Sequence, residues 1–308
     1  MTDRVAVPAP LALRARLADL VTRLERFPAP GETVTALDFA VHPGGKGANQ
    51  AYAAARLGGR VAMLGGIGRD ANGELLMQSL RSAGVDVSPV NRDDDAPTGQ
   101  ALIALDASGE NQIVVVPGAN ARLTPEIVEA HEARIAAAAV VLLQLEVPLI
   151  AVLAAARIAR HGGATVILDP APARALPASL LECVDYLTPN ESELQTLTGG
   201  AAGQPAEPAA RRLADGRRLR VIVKMGEAGA LLVETEGHAL WPARRVEAVD
   251  ATGAGDAFNA ALAVALAEGR PLPEAGRLAT AAGALCVTRA GAQPSMPTRE
   301  EVETLLAS

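Results

Sequence analysis

Aromatic side chains are nearly missing from this sequence. Its 308 residues hold one Trp, two Tyr and three Phe, so the core must be assembled from small aliphatics, Ala and Val above all. Histidine is scarce too. The four present are scattered, with none in the HxxxH or HExxH spacing of helical metal sites. There are two cysteines, Cys183 and Cys286, far apart and outside any CxxC, which excludes a disulfide framework and points to reduced thiols. Positive charge is in the minority: the net charge is -7 and the pI about 5.3, which argues against a nucleic-acid partner. The densest basic cluster, RRLADGRRLR (211–220), reads as a solvated helix face. No apolar run approaches the roughly 20 residues of a membrane span, so no membrane partner is expected. The opening residues have no signal-peptide core, and the expectation is a cytoplasmic protein.

What is present is alternation. Apolar, β-rich runs such as VAMLGG (61–66), VVLLQL (140–145), ATVILD (164–169), VDYLT (184–188), RVIVKM (220–225) and ALLVE (230–234) recur between helical patterns near 47–58, 71–83, 147–161, 191–198, 206–216, 253–268, 273–288 and 298–306. Continuous apolar strands separated by helices predict an α/β fold, a doubly wound, mainly parallel sheet flanked by helices. Two segments break the rhythm. ETVTALDFAVH (32–42) and the hairpin TGQALIALDASGENQIVVV (98–116), turned at ASGEN, predict a small antiparallel β lid from about 20–43 and 97–117. No linker or repeat divides the chain, so residues 1–308 read as a single domain.

Four glycine-containing or acidic motifs carry chemistry. In DATGAGDAFNAAL (250–262) the glycines let backbone N–H groups converge at a helix start, an anion hole suited to phosphate. Asp256 beside it repels an anion but is well placed to take a proton from an attacking hydroxyl; the alternative is that it only complements the helix dipole. PGGKGANQA (43–51) is no Walker A loop, because Ala40 and Gly47 stand where that pattern needs Gly and Ser or Thr. Lys46 and Asn49, three apart, suit a polyhydroxylated ligand; the alternative is a solvated lysine on a glycine-rich loop. In PNESE (189–193), Asn190 and Glu193 form a capping box or, at the sheet's carboxyl edge, hold Mg²⁺ through water. KMGEAGA (224–230) either follows a nucleotide's phosphates or merely turns the chain. GIGRDA (66–71) matches the loose dinucleotide pattern and carries a rival reading, an NAD(P)-dependent oxidoreductase.

Together, PGGKGANQA, PNESE and DATGAGDAFNAAL, in this order, resemble the ribokinase-like carbohydrate kinase family, and the likeness runs from about residue 19 to the C-terminus. FPAPGET, VPGAN, QLEVP, DPAPA and TRAGAQPSMP extend it. The resemblance implies transfer of the ATP γ-phosphoryl group to a sugar hydroxyl, with the 5-hydroxyl of D-ribose the leading acceptor. It makes Asp256 the base and Gly253, Ala254 and Gly255 the anion hole. It gives Asp19, Gly45, Lys46, Asn49 and Glu146 to the sugar, and Asn190, Lys224, Gly226 and Gly255 to the nucleotide. Glu193 falls to Mg²⁺ through water, and Asp250, Thr252, Cys286, Gly291 and Ser295 to a monovalent cation such as K⁺. A homodimer through the lid is implied as well.

One stretch departs from that pattern. The family opens with a strand ending in Gly-Ser-x-Asn-x-Asp. Here Asp19 matches, but Leu17 stands for the Asn, Arg14 and Ala15 replace Gly-Ser, and extra residues separate VAV (5–7) from Asp19. ALRARLAD (12–19) reads as a helix. Three explanations compete: a real divergence with altered sugar choice, a helix that leaves a weak enzyme or a binding homologue, or a local shift of reading frame. Another pentose, a ketohexose or a nucleoside are the alternative acceptors.

Overall fold

The apolar runs spaced between helical patterns fold as strands of one large sheet. A computed structural model describes residues 11–13, 17–201 and 203–308. In chain order the first elements are β1 (Leu11–Leu13), β2 (Leu17–Arg23), β3 (Asp38–Gly44), α1 (Lys46–Arg56), β4 (Ala62–Gly68), α2 (Ala71–Ser82), β5 (Val90–Asp93), β6 (Gly99–Leu105) and β7 (Asn111–Val116). There follow α3 (Pro125–Glu129), α4 (Glu132–Ala136), β8 (Val140–Leu143), α5 (Leu149–Gly162), β9 (Thr165–Leu168), α6 (Ala178–Leu181), β10 (Tyr186–Leu187), α7 (Glu191–Thr198) and α8 (Ala206–Ala214). The last are β11 (Arg220–Lys224), β12 (Ala230–Glu234), β13 (Gly237–Trp241), α9 (Ala254–Ala267), α10 (Leu272–Cys286) and α11 (Arg299–Ala307).

Nine strands form the main sheet in the order β13-β12-β11-β10-β9-β8-β1-β4-β5. From β11 to β5 every pair is parallel, and β12 and β13 close one side antiparallel. Strand alternation feeds two cores. Val140, Leu142, Ile167 and Ile222 point to the face covered by α1, α9 and α10. Val141, Leu143, Val166, Leu168, Val221 and Val223 point to the face covered by α5 and α8. The helices of the first face meet through alanines: Ala48, Ala51 and Ala54 of α1, Ala257, Ala260 and Ala261 of α9, and Ala279 and Ala282 of α10 are all buried.

The opening segment corrects the sequence reading. The described ends of ALRARLAD are strands, not helix. Leu11–Leu13 pairs in parallel with both β4 and β8, at the centre of the sheet. The slot has open hydrogen-bonding groups on both sides, and that tertiary demand outweighs local helix preference. The stretch VAV (5–7), like Arg14 and Ala15, lies outside the described residues. Leu17 then starts β2 in a second sheet, ordered β3-β2-β6-β7. That sheet is mixed rather than purely antiparallel: β2 pairs antiparallel with β3 and parallel with β6, and β6 and β7 form the hairpin. One face of it turns Phe39, Val41, Leu102 and Val114 toward solvent. Its β3 runs through Gly44 and Gly45 straight into α1.

Candidate functional site

Parallel strands deliver their carboxyl ends to one edge, where ligands of open α/β sheets bind. Here Gln144 and Glu146 follow β8 and Asp169 follows β9, its amide donating to the Leu143 carbonyl at 2.8 Å. The chain after β10 passes Pro189, whose carbonyl accepts from the Lys224 amide at the end of β11 (2.8 Å). Above this edge stand the N-termini of α1 and α9.

Asp256, in the first turn of α9, is buried. Asn49 and Gln50, consecutive on α1, hold its two oxygens. Asn49 Nδ2 donates to Oδ2 at 3.1 Å and Gln50 Nε2 to Oδ1 at 2.7 Å. Burial pushes the Asp256 carboxyl above the ordinary carboxylate range; Lys46 opposes this and Asp169 adds to it. Gly253 caps α9 in the left-handed region (φ 83°), and among the described residues no side-chain cap bonds the first turn. The Ala254 amide reaches back to the Ala251 carbonyl at 3.3 Å. A Cβ on Gly255 would stand 3.3 Å from Lys224 Nζ, which places that ammonium over the first turn of α9.

The other side of Asp256 is built by the small sheet. Asp19 on β2 folds over Gly44, so closely that a Cβ on Gly44 would lie 2.0 Å from Asp19 Oδ2. Gly45 takes φ 84° and caps α1, and the Lys46 amide of that helix donates to Glu146 Oε2 at 3.0 Å. Burial, and then the charge of Asp256, raise the Asp19 carboxyl to about 7. Burial raises Glu146 to about 8 against the pull of Lys46. Burial alone would lower the Lys46 ammonium, but Asp256, Asp169, Glu146 and Glu193 together hold it above its ordinary value.

These raised carboxyls fix a pH dependence. Their folded values of about 7 and about 8 exceed the ordinary 3.8 and 4.5, so between those limits the folded chain keeps protons that the unfolded chain releases. Stability must then fall as pH rises through that window. The Glu32 and Glu301 carboxyls, both lowered from 4.5 to about 2, act only below about pH 4.5. Ligand-free protein is expected to melt at a lower temperature at about pH 8.5 than at about pH 5.5, with Glu146→Gln narrowing the gap. Equal melting at both pH values in calorimetry would show that these groups ionise without cost.

Beyond Asp256 opens a cleft of ≈ 980 Å³, lined among others by Lys46, Asn190, Glu193, Lys224, Gly226 and Thr280. Such a volume suits a nucleotide-sized ligand. Of the two readings of PNESE, the structure forms the capping box, with Glu193 N donating to Asn190 Oδ1 and Asn190 N to Glu193 Oε2, each at 2.8 Å, and both residues face the cleft. KMGEAGA turns β11 into β12 through Gly226 (φ 55°) and lines the same cleft. Among the described residues no three His, Cys, Asp or Glu gather as a metal cage. Asp169, Glu193, Glu227 and Asp256 line the cleft without gathering as a cage, an arrangement compatible with an ion that keeps water and ligand oxygens in its shell, as Mg²⁺ does.

Behind the anion cradle, Asp250 stitches two segments together. Its Oδ1 accepts from the Thr252 amide at 2.9 Å and its Oδ2 from the Gly291 amide at 2.8 Å. Those bonds outweigh burial and hold its carboxyl low. Cys286 Sγ lies 3.6 Å from the Thr252 carbonyl and 3.0 Å from Ser295 Oγ. Asp250, Thr252, Cys286, Gly291 and Ser295 thus share one locality behind the first turn of α9.

The sequence motifs missed Gln50 and Asp169. Gln50 Nε2 also donates to Asp169 Oδ2 at 2.8 Å, and Asp169 Oδ1 accepts from Lys224 Nζ at 2.9 Å. The available signal was a carboxylate ending the strand ATVILD, at the edge where ligands bind.

The sequence matches the pfkB family carbohydrate kinases over residues 15–299. It is 41% identical over 286 residues to a ribokinase of Haemophilus influenzae, covering 92% of this chain and 94% of that one. It is 36% identical over 296 residues to a deoxyribokinase of Salmonella typhi, covering 95% and 97%. The structure of Arabidopsis thaliana ribokinase complexed with ribose and ATP is similar at a TM-score of 0.92 and 36% identity, covering 98% of this chain and 99% of that one. The dinucleotide reading of GIGRDA is overturned with this. Asp70 fills the helix start itself, accepting from the Gly73 amide (2.8 Å), the Thr98 amide (2.7 Å) and the Thr98 hydroxyl (2.6 Å), which leaves no cradle for a pyrophosphate. A match across almost the whole chain, with cleft and buried carboxylate side by side, means that this protein belongs to the pfkB family of carbohydrate kinases and is an ATP-dependent carbohydrate kinase.

Proposed function

We propose that the protein phosphorylates the 5-hydroxyl of D-ribose, with Asp256 as general base. The observation that carries this reading is the position of Asp256. It lies between Asp19 of the small sheet with Lys46 and Asn49 of α1 on one side and the cleft with the uncapped first turn of α9 on the other. Two of the relatives quoted above, a ribokinase and a ribokinase complexed with ribose and ATP, support the acceptor. In the step itself the sugar 5-oxygen bonds to the γ-phosphorus as its proton passes to the Asp256 carboxylate, and the bond to the ADP oxygen breaks. The amides of Gly253, Ala254 and Gly255 stabilise charge on the transferring group, and Lys224 borders it. Lys46, Asn49 and Glu146 orient sugar hydroxyls, with Asp19 and Gly45. Gly226 and Asn190 line the nucleotide. Glu193 would hold Mg²⁺ through water, and the ion would supply charge neutralisation on the phosphates. Asp250, Thr252, Cys286, Gly291 and Ser295 would hold K⁺, which would fix the loop behind the cradle. The small sheet acts as a lid that excludes water, and its exposed apolar face supports a homodimer.

One observation favours a second acceptor. Leu17, where the family carries an amide, is buried, and its Cδ2 would lie 2.7 Å from a Cβ on Gly99. A leucine there gives no hydrogen bond, which suits a pentose with one hydroxyl fewer, and a deoxyribokinase is among the relatives.

An ADP-release assay over ribose, 2-deoxyribose, ketohexoses and nucleosides, with and without K⁺, tests both. Ribose-dependent ADP is expected, with turnover several-fold higher in K⁺. Higher kcat/KM for 2-deoxyribose would establish the second acceptor. Sugar binding without ADP release would overturn the kinase reading for this chain.

A further inference from the structure

The site contains one connection that the transfer step above leaves unused. Gln50 is fully buried, and its single amide nitrogen donates twice, to Asp256 Oδ1 at 2.7 Å and to Asp169 Oδ2 at 2.8 Å. Its orientation is set from behind, because Gln50 Oε1 accepts from Gln144 Nε2 at 3.3 Å. Asp169 is buried in turn, and its second oxygen accepts from Lys224 Nζ at 2.9 Å. Lys224 stands over the first turn of α9. An unbroken run of hydrogen bonds, Lys224 to Asp169 to Gln50 to Asp256, therefore joins the phosphate side of the site to the base.

We propose that Gln50 and Asp169 are positioning residues that couple Lys224 to the base: Gln50 holds both carboxylates on the two hydrogens of one nitrogen, and Asp169 divides its charge between that amide and the lysine. This rests on the reading of Asp256 as base. The physical consequence follows from Coulomb's law at short range. While Lys224 sits on Asp169, its positive charge offsets part of the push that Asp169 exerts on Asp256. When an anionic phosphoryl group draws Lys224 away, the negative charge of Asp169 acts on Asp256 across Gln50 and favours its protonated form. The base becomes stronger when the phosphate is in place, and stays weaker when it is not.

Other charged and titratable groups face Asp256 as well. They are Lys46 from α1, Glu146 after β8, Asp19 from β2 and Cys286 from α10. Among the described residues, Asp169 is the acid that shares a side-chain hydrogen-bond donor with Asp256 and is also paired with a lysine over the cradle.

The test is turnover against pH at saturating sugar and ATP. Asp169→Asn keeps the shape and an acceptor for Gln50 but removes the charge. Its acidic limb is expected to move down by about half to one pH unit. Gln50→Met removes a donor from the Asp256 carboxylate, and its acidic limb is expected to move up by a similar amount. Opposite shifts support the coupling. Lower plateaus with both limbs unmoved would assign Gln50 and Asp169 a packing role and overturn it, while leaving Asp256 as base. Should Asp169→Asn fail to fold, Gln50→Met decides alone: an upward shift supports the coupling and an unmoved limb overturns it. The underlying reading falls separately, if Asp256→Asn retains turnover.

Discussion

Asp256→Asn is expected to lower kcat by about three orders of magnitude while sugar affinity stays within a few-fold of the parent. The amide has the size of the carboxyl but cannot take a proton at neutral pH, so the attacking oxygen must become anionic unaided. The surroundings sharpen the expectation. Both oxygens of Asp256 accept from nitrogen donors, Asn49 Nδ2 and Gln50 Nε2. An Asn side chain must turn its own NH₂ toward one of them and lose that bond. The loss costs about 1–3 kcal/mol of stability, partly offset because a buried carboxylate is no longer ionised. Calorimetry with sugar and single-turnover ADP release separate these effects. Turnover within tenfold of the parent would remove Asp256 from the chemistry.

The second large effect is expected from one methyl group. At Gly44 a Cβ would lie 2.0, 2.3 and 2.4 Å from the three carboxyl atoms of Asp19, far inside contact distance. The backbone of Gly44 is not left-handed, so Ala is compatible with it and the conflict is confined to Asp19. Gly44→Ala must push that carboxyl aside. If Asp19 grips the sugar, losing a charge-assisted hydrogen bond of about 1.5–3 kcal/mol raises the sugar KM by about 10- to 100-fold. The KM for ATP should hold. Because both changes disable the same group, Gly44→Ala combined with Asp19→Ala should add little to either alone. A sugar KM within twofold of the parent would show that Asp19 does not touch the acceptor.

The long elements were readable because each carries its own signal. The runs VVLLQL and RVIVKM are continuous apolar stretches, and the helices at 47–58 and 253–268 follow glycine turns; the observed α1 and α9 begin and end within two residues of those limits. The start of the chain was not readable. A three-residue strand has no period of its own, and Leu11–Leu13 is a strand because β4 (Ala62–Gly68) and β8 (Val140–Leu143), both far downstream, leave a place between them. The site divides the same way. Lys46, Asn49, Glu193 and Asp256 lie in short glycine-marked or capping motifs. The Gln50–Asp169 bond joins residues 119 positions apart, and the pairing exists only once β9 and α1 share an edge.

The alanine contacts among α1, α9 and α10 bear on how this enzyme can change. A methyl side chain has no rotamer to choose and almost nothing to trim, so α9 is seated by the closeness of backbones rather than by interlocking long side chains. Tolerance in that layer is one-sided. Deletions have little to take away, whereas each added carbon must shift the helix whose first turn carries the base. Variation in acceptor choice is then free to accumulate in the small sheet and at the helix tips, and is barred from the layer beneath them.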